Sequence, residues 1–232
     1  MTNIHHIFFD LDHTLWDFDR NAECCLRDIY SVNELQSRGV ATVELFIETF
    51  TVHNRAMWKQ LEAKEITHDY LRDERFNVVL KTLKVEPDVT LSNRLNDDFL
   101  ESLTEQTHLI DGTIELLDYL APKYELHILS NGFDVIQRKK MRLSGLEKYF
   151  KNVITYDTAQ VRKPDRKIFE AAIDLAVTKA ENSVMIGDTI EADVNGALNV
   201  GMHAIWYDPK AAEAPLSSFR HVQHLSALKD MF

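Results

Sequence analysis

The stretch YELHILSNGFDVIQRKKMRL, residues 124–143, changes character in its middle. Its first seven residues climb into the apolar run LHIL, as a buried strand does, and after SNG a polar, helix-forming run takes over. The same unit recurs on both sides. Residues 113–121 read as a helix ahead of it. Behind it come the short strand NVITY (152–156), a helix from Pro164 to about Val177, the strand SVMIG (183–187), a helix near 191–199 and the strand HAIWY (203–207). Strands separated by helices of about ten residues predict parallel βαβ units with right-handed crossovers. The expected class is α/β, with a Rossmann-like parallel sheet.

Residues 4–11, IHHIFFDL, are β-branched and aromatic and predict a further strand. Between it and the alternating region lies an almost purely helical stretch, roughly Asp19 to Thr107. Apolar residues in ELFIETFTVHNRAMWKQLEAKEI (44–66) recur at three- and four-residue spacing, Thr67 is placed to cap HDYLRDERFNVVLKTL, and VTLSNRLNDDFLESL keeps the same period. Met57 and Trp58 then read as bundle core. Four helices with short joins predict a bundle, and a lone strand ahead of them finds partners only in the later sheet. The expected organisation is a core of 1–17 and 108–232 with 18–107 inserted as a helical bundle. Its two connections, around 16–20 and 107–112, would run side by side as a hinge.

Composition limits what such a protein does. A chain of 232 residues, 45% hydrophobic and 27% charged, can bury a sizeable core. Its net charge of -11 disfavours nucleic-acid polymers and anionic membranes, both of which select basic surfaces. A small-molecule partner fits better. No basic leader followed by a long apolar stretch is present, and no run approaches the roughly 20 apolar residues of a span, so a cytoplasmic location is expected. Cys24 and Cys25 are adjacent, with Cα atoms about 3.8 Å apart, closer than ordinary disulfide geometry allows, and are expected to be reduced. The ten histidines are scattered and show no zinc-type spacing.

In an open parallel sheet, ligands bind beyond the carboxyl ends of the strands. The polar residues of interest fall there: Asp10 and Asp12 after the first strand, Ser130 and Asn131 after ELHIL, and Asp188 after VMIG. Lys163 precedes Pro164, which suits the first position of a helix, so the lysine is expected beside free N–H groups that attract anions. Singly, each element is an ordinary turn, cap or helix start. In this order they converge on one end of one sheet. Asp10 and Asp12 raise an electrostatic question, because two charges about 4 Å apart at an effective dielectric of about 20 repel by roughly 4 kcal/mol. A nearby cation would offset that repulsion.

These residues resemble the haloacid dehalogenase-like hydrolases, mostly phosphatases. DLDHT (10–14) resembles the family's first motif, LSNG (129–132) its second, the lysine of RKPD (162–165) its third and GDTIEAD (187–193) its fourth. The insertion resembles the family's helical cap. DHTLWDFD, LSNGF and VRKPDRKIF are most similar to the pyrimidine 5'-nucleotidases that remove non-standard nucleotides.

The resemblance implies a nucleophile at Asp10 that forms an aspartyl-phosphate, and a general acid and base at Asp12. It also implies magnesium held by the Asp10 carboxylate, the Asp12 backbone carbonyl and Asp188. Ser130, the Asn131 backbone N–H and Lys163 would bind the phosphoryl group, and Asp193 would hold a metal-bound water or Lys163. His13 stands where the family usually has glycine, which leaves its role open. Trp16 and Phe18 fit equally a base-stacking role and core packing. The expected function is a magnesium-dependent phosphomonoesterase acting on nucleoside 5'-monophosphates. A sugar-phosphate or phosphoglycolate phosphatase would share every catalytic residue, and a phospho-receiver or inactive phosphate-binding module is the alternative of a different class. Monomer and homodimer both stay open.

Overall fold

The computed structural model describes residues 3–86, 88–210 and 219–232. The chain forms two compact units, Met1–Phe18 with Thr107–Phe232, and Asp19–Gln106.

The first unit is built on six parallel strands in the order β3-β2-β1-β4-β5-β6. These are β1 (His6–Phe9), β2 (Glu125–Leu129), β3 (Asn152–Ile154), β4 (Ser183–Gly187), β5 (His203–Tyr207) and β6 (Arg220–Val222). From β1 the chain winds outward through β2 and β3, then returns to lay β4 on the other side of β1. That reversal is the switch point at which such sheets bind ligands. Central β1 needs apolar side chains on both faces, and Ile7, Phe8 and Phe9 are fully buried. The two connections do run side by side: Asp17 N–H donates to the His108 carbonyl at 3.1 Å and Ile110 N–H to that of Leu15 at 2.9 Å.

Several local expectations are corrected. The third strand stops at Ile154, because Thr155 and Thr158 form a capping box that starts a one-turn helix at Tyr156. The helix expected from Pro164 runs Arg166–Leu175, with the Asp165 carboxylate accepting from Lys167 N–H at 3.1 Å as its N-cap. Pro164 therefore lies ahead of the helix, and the Lys163–Pro164 bond is cis. The helix expected near 191–199 is a π-helical turn, Ile190–Asn195, followed by a short helix, Gly196–Leu198. Strand β6 was not anticipated.

In the second unit α1 (Phe18–Val32, its first residue belonging to the sheet unit), α2 (Val43–Glu62), α3 (His68–Thr82) and α4 (Val89–Glu105) form the expected four helices. Thr67 caps α3, accepting from Tyr70 N–H at 3.1 Å. Buried Phe46, Phe50, Phe76 and Phe99 make the centre. Among them lies Arg75, its guanidinium 4.9 Å from the Phe99 ring and donating to Asn96 Oδ1 at 2.6 Å. Burial lowers its pKa to about 10, so it stays charged at neutral pH. Met57 is buried, with Trp58 packed partly against it. Both cysteines are free, and burial pushes the Cys25 thiol up to about 11.

At the amino end of the sheet, Asn152 Nδ2 lies 3.1 Å from His127 Nδ1, and His127 Nε2 lies 3.2 Å from His6 Nδ1. Glu125 approaches His6 at 3.5 Å and is bound by Lys151 through both oxygens at 2.8 Å. Burial, then the neighbouring His6, lowers the pKa of His127 to about 4, despite the opposing pull of Glu125. The unfolded chain therefore takes up this proton near pH 6.5 and the folded chain only near 4. His127 thus contributes stability above pH 6.5 that is lost as pH falls to 4, on the order of 3 kcal/mol. Denaturation measured across this window is expected to show a steeper acid loss for the wild type than for His127→Gln. Parallel curves would remove the histidine as the cause.

Candidate active site

Asp10 follows β1, and its N–H donates to the Ile186 carbonyl of β4 at 2.9 Å. The ammonium of Lys163 donates to Asp10 Oδ1 and to Asp193 Oδ1, each at 2.6 Å, and all three residues are buried. Asp188 follows β4, its backbone carbonyl accepting from Trp206 Nε1 at 2.8 Å. Burial raises the pKa of Asp10 to about 7; Lys163 opposes the shift, and Asp193 and Asp12 add to it. Burial, then Asp10 and Asp193, likewise pushes Asp188 well above the usual carboxylate range.

Carboxylate oxygens of Asp10, Asp188 and Asp193 lie within 4.8 Å of one another. Asp193 has both oxygens engaged, Oδ1 by Lys163 and Oδ2 by Thr189 N–H at 3.0 Å. Crowded oxygen donors whose protons are held by burial and then by mutual repulsion, with one ammonium among them, suit a hard divalent cation such as magnesium. The π-helical turn brings Asp193 back over the end of β4, and this needs Gly187: a Cβ there would run into the Asp193 carboxylate.

Lys163 is placed from a neighbouring strand rather than by a helix end. Asn131 Oδ1 accepts from Lys163 N–H at 2.7 Å, and its Nδ2 donates to the Lys163 carbonyl at 3.1 Å. One side-chain amide thus joins the loop after β2 to the loop that carries the lysine. The sequence reading used only the backbone N–H of Asn131.

Beyond α5 (Thr113–Leu120), which precedes β2, the chain forms α6 (Asp134–Leu143), and Asp12 faces it. Lys140 Nζ donates to its Oδ1 at 2.7 Å, and Gln137 Nε2 to its Oδ2 at 2.8 Å and to Ser130 Oγ at 2.7 Å. Burial raises the pKa of Asp12, but Lys140 and both hydrogen bonds outweigh it and hold the carboxyl below its ordinary value. Sequence reasoning missed Gln137 and Lys140. The sequence carries no signal for them, because only burial shows the helix to be inverted: Val135 is 78% exposed, whereas Gln137 is 1% and Lys140 3% exposed.

His13 adopts φ 63°, a left-handed conformation that costs a side-chain-bearing residue about 1–2 kcal/mol and explains why glycine suits this position. Its ring lies 5.0 Å from that of Phe18. Trp16 is fully buried, with the Lys140 ammonium 4.4 Å from its ring centre, whereas Phe18 keeps partial exposure.

The profile described as a haloacid dehalogenase-like hydrolase matches residues 4–201. Pyrimidine 5'-nucleotidase PynA of Streptococcus pneumoniae is 33% identical over 209 residues, 89% of this chain and 85% of that protein. Pyrimidine 5'-nucleotidase YjjG of Escherichia coli is 30% identical over 212 residues, 90% of this chain and 88% of that one. The magnesium-bound crystal structure of the HAD-hydrolase YfnB from Bacillus subtilis superposes with a TM-score of 0.87 at 25% identity, covering 99% of both chains. Among the described residues, no helix is long and apolar enough to cross a membrane.

Proposed function

The chain belongs to the haloacid dehalogenase-like hydrolases, and we propose that within them it is a magnesium-dependent phosphomonoesterase for pyrimidine nucleoside 5'-monophosphates. The observation that carries the reading is the Lys163 ammonium 2.6 Å from both Asp10 and Asp193 at the switch point of the sheet. It favours the ionised form of a buried carboxylate that would otherwise hold its proton, and an ionised carboxylate is a nucleophile.

In this reading an Asp10 oxygen attacks phosphorus as the bond from phosphorus to the leaving oxygen breaks, and Asp12, which takes up a proton when the substrate's negative charge comes beside it, gives that proton to the leaving oxygen. Water then attacks the aspartyl-phosphate and loses a proton to Asp12. The bond between phosphorus and Asp10 breaks, releasing phosphate and restoring both carboxyl groups. Ser130 Oγ–H and the Asn131 N–H donate to phosphoryl oxygens, Lys163 offsets their charge, and Asp193 holds Lys163 in place. Asp10, the Asp12 backbone carbonyl and Asp188 would hold magnesium, which when bound supplies further charge stabilisation of the phosphoryl group. Residues Asp19–Gln106 stand as the family's cap in this assignment.

The nucleotide preference draws support from the two pyrimidine 5'-nucleotidases, which align over most of this chain. With Trp16 buried, a base would stack on Phe18. Activity is expected to vanish in chelator, return with magnesium, and favour deoxyuridine, thymidine and uridine monophosphates over sugar phosphates. Phe18→Ala is expected to lower kcat/KM for nucleotides by roughly 10- to 100-fold, the loss of about 1 to 3 kcal/mol of stacking, and to leave phosphoglycolate nearly unchanged. Equal losses on both would assign Phe18 to packing and move the sugar-phosphate reading ahead.

A further inference from the structure

We propose that Gln137 and Lys140, three residues apart on one face of α6, form a clamp that positions the Asp12 carboxylate for proton transfer. The inference rests on the acid and base role given to Asp12 above, and makes both side chains positioning residues.

Each oxygen of Asp12 has its own donor, Lys140 Nζ at 2.7 Å on Oδ1 and Gln137 Nε2 at 2.8 Å on Oδ2. Two hydrogen bonds on separate oxygens fix the rotation of the carboxyl group as well as its place, and leave each oxygen a second site at which the transferred proton can be carried. Both donors are buried and come from a single helix, so they move together. Gln137 also donates to Ser130 Oγ at 2.7 Å, which sets the distance between the proton donor and the hydroxyl assigned to the phosphoryl group. The Lys140 ammonium is seated 4.4 Å from the Trp16 ring and 5.7 Å from that of Phe18.

A purely structural role explains Gln137 poorly. Among the described residues its buried Oε1 has no hydrogen-bond partner, a state that carries a desolvation cost. A side chain of the same length without the amide would fill the site and avoid that cost. The amide is therefore retained for its N–H groups, both of whose acceptors belong to the proposed chemistry.

Lys140→Met and Gln137→Met preserve side-chain length and remove the donors. kcat/KM reports the chemistry through phosphoryl transfer to Asp10, so it is compared for two esters: an alkyl phosphate, whose leaving alkoxide needs a proton, and p-nitrophenyl phosphate, whose leaving phenolate does not. Loss of positioning is expected to lower the alkyl value by about 10- to 100-fold and the aryl value by less than about threefold. Half-saturating magnesium should stay the same, and Lys140→Arg should restore part of the alkyl activity. Equal losses on the two esters, or no loss on either, overturn the clamp. If Lys140→Met does not fold, Gln137→Met decides alone, because it removes an unsatisfied buried acceptor. Failure of the underlying assignment is separately visible, since Asp12→Asn would then cost the two esters equally.

Discussion

Asp10→Asn is expected to lower phosphomonoester turnover by at least about 10³-fold, as removal of a nucleophile does, and to leave the fold as stable as before. The two halves of that result come from the same geometry. An amide cannot form the aspartyl-phosphate, yet its oxygen can still accept the Lys163 hydrogen bond that Asp10 Oδ1 accepts at 2.6 Å. Asp10 also sits among carboxylates that, with burial, raise its pKa to about 7. Removing its charge avoids the cost of burying it and relieves repulsion with Asp188 and Asp193, which offsets the weakened attraction to Lys163, itself still paired with Asp193. Steady-state kinetics beside thermal denaturation separates the outcomes. Retention of more than about one per cent of activity would remove Asp10 from the nucleophile's role, and a large fall in stability would mean the carboxylate is chiefly structural.

Lys163→Met is expected to fail in the opposite sense, by losing stability as well as activity. Burial alone would push the lysine's pKa down, but Asp10 and Asp193 more than compensate and hold it above its ordinary value. Taking the ammonium away leaves two buried carboxylates without their cation, and breaking a buried pair in this way costs about 3–5 kcal/mol. For a chain of this size that is a fall of about 6–20 °C in Tm, best measured in chelator so that no added ion replaces the ammonium. The double variant Lys163→Met/Asp193→Asn should recover part of the loss, because one orphaned charge goes with the lysine. No recovery would locate the cost in side-chain packing instead.

The architecture was legible wherever burial imposes a period. Strands β1, β2, β4 and β5 are apolar because helices cover both faces of the sheet, and the four helices of the second unit show their apolar spacing plainly. Strand β6 was not legible, since Arg220–Val222 is three residues long with one buried side chain. The π-helical turn escaped because its geometry depends on Gly187 and Asp193 meeting in space. In the candidate site, Asp10, Asp12, Ser130 and Asp188 follow strand ends, where local pattern points to them, whereas Lys163 lies in a loop ahead of its helix and Asp193 inside the π-helical turn. Gln137 and Lys140 lie inside a helix that reads as a solvated polar surface. Only tertiary structure reveals that this face points inward, and such conflict between local pattern and final burial is characteristic of functional sites.

The place of β1 in the sheet has a consequence for how the molecule comes into being. Its neighbours are β2 and β4, and its first residue, His6, pairs in register with Glu125 and Ser183. At the roughly 5–20 residues per second of protein synthesis, the second of these partners leaves the ribosome about 9–35 s after β1 does. Until β2 emerges the strand has two open edges, and one edge stays open to the end of that interval, while Asp10 and Asp12 precede by 153 and 128 residues the lysines that later hold them. The helical unit, whose contacts are local, can fold in the meantime, since contacts of short sequence separation form fastest. Until residue 183 has been made, the nascent chain carries Asp10 without the enclosure that raises its pKa to about 7.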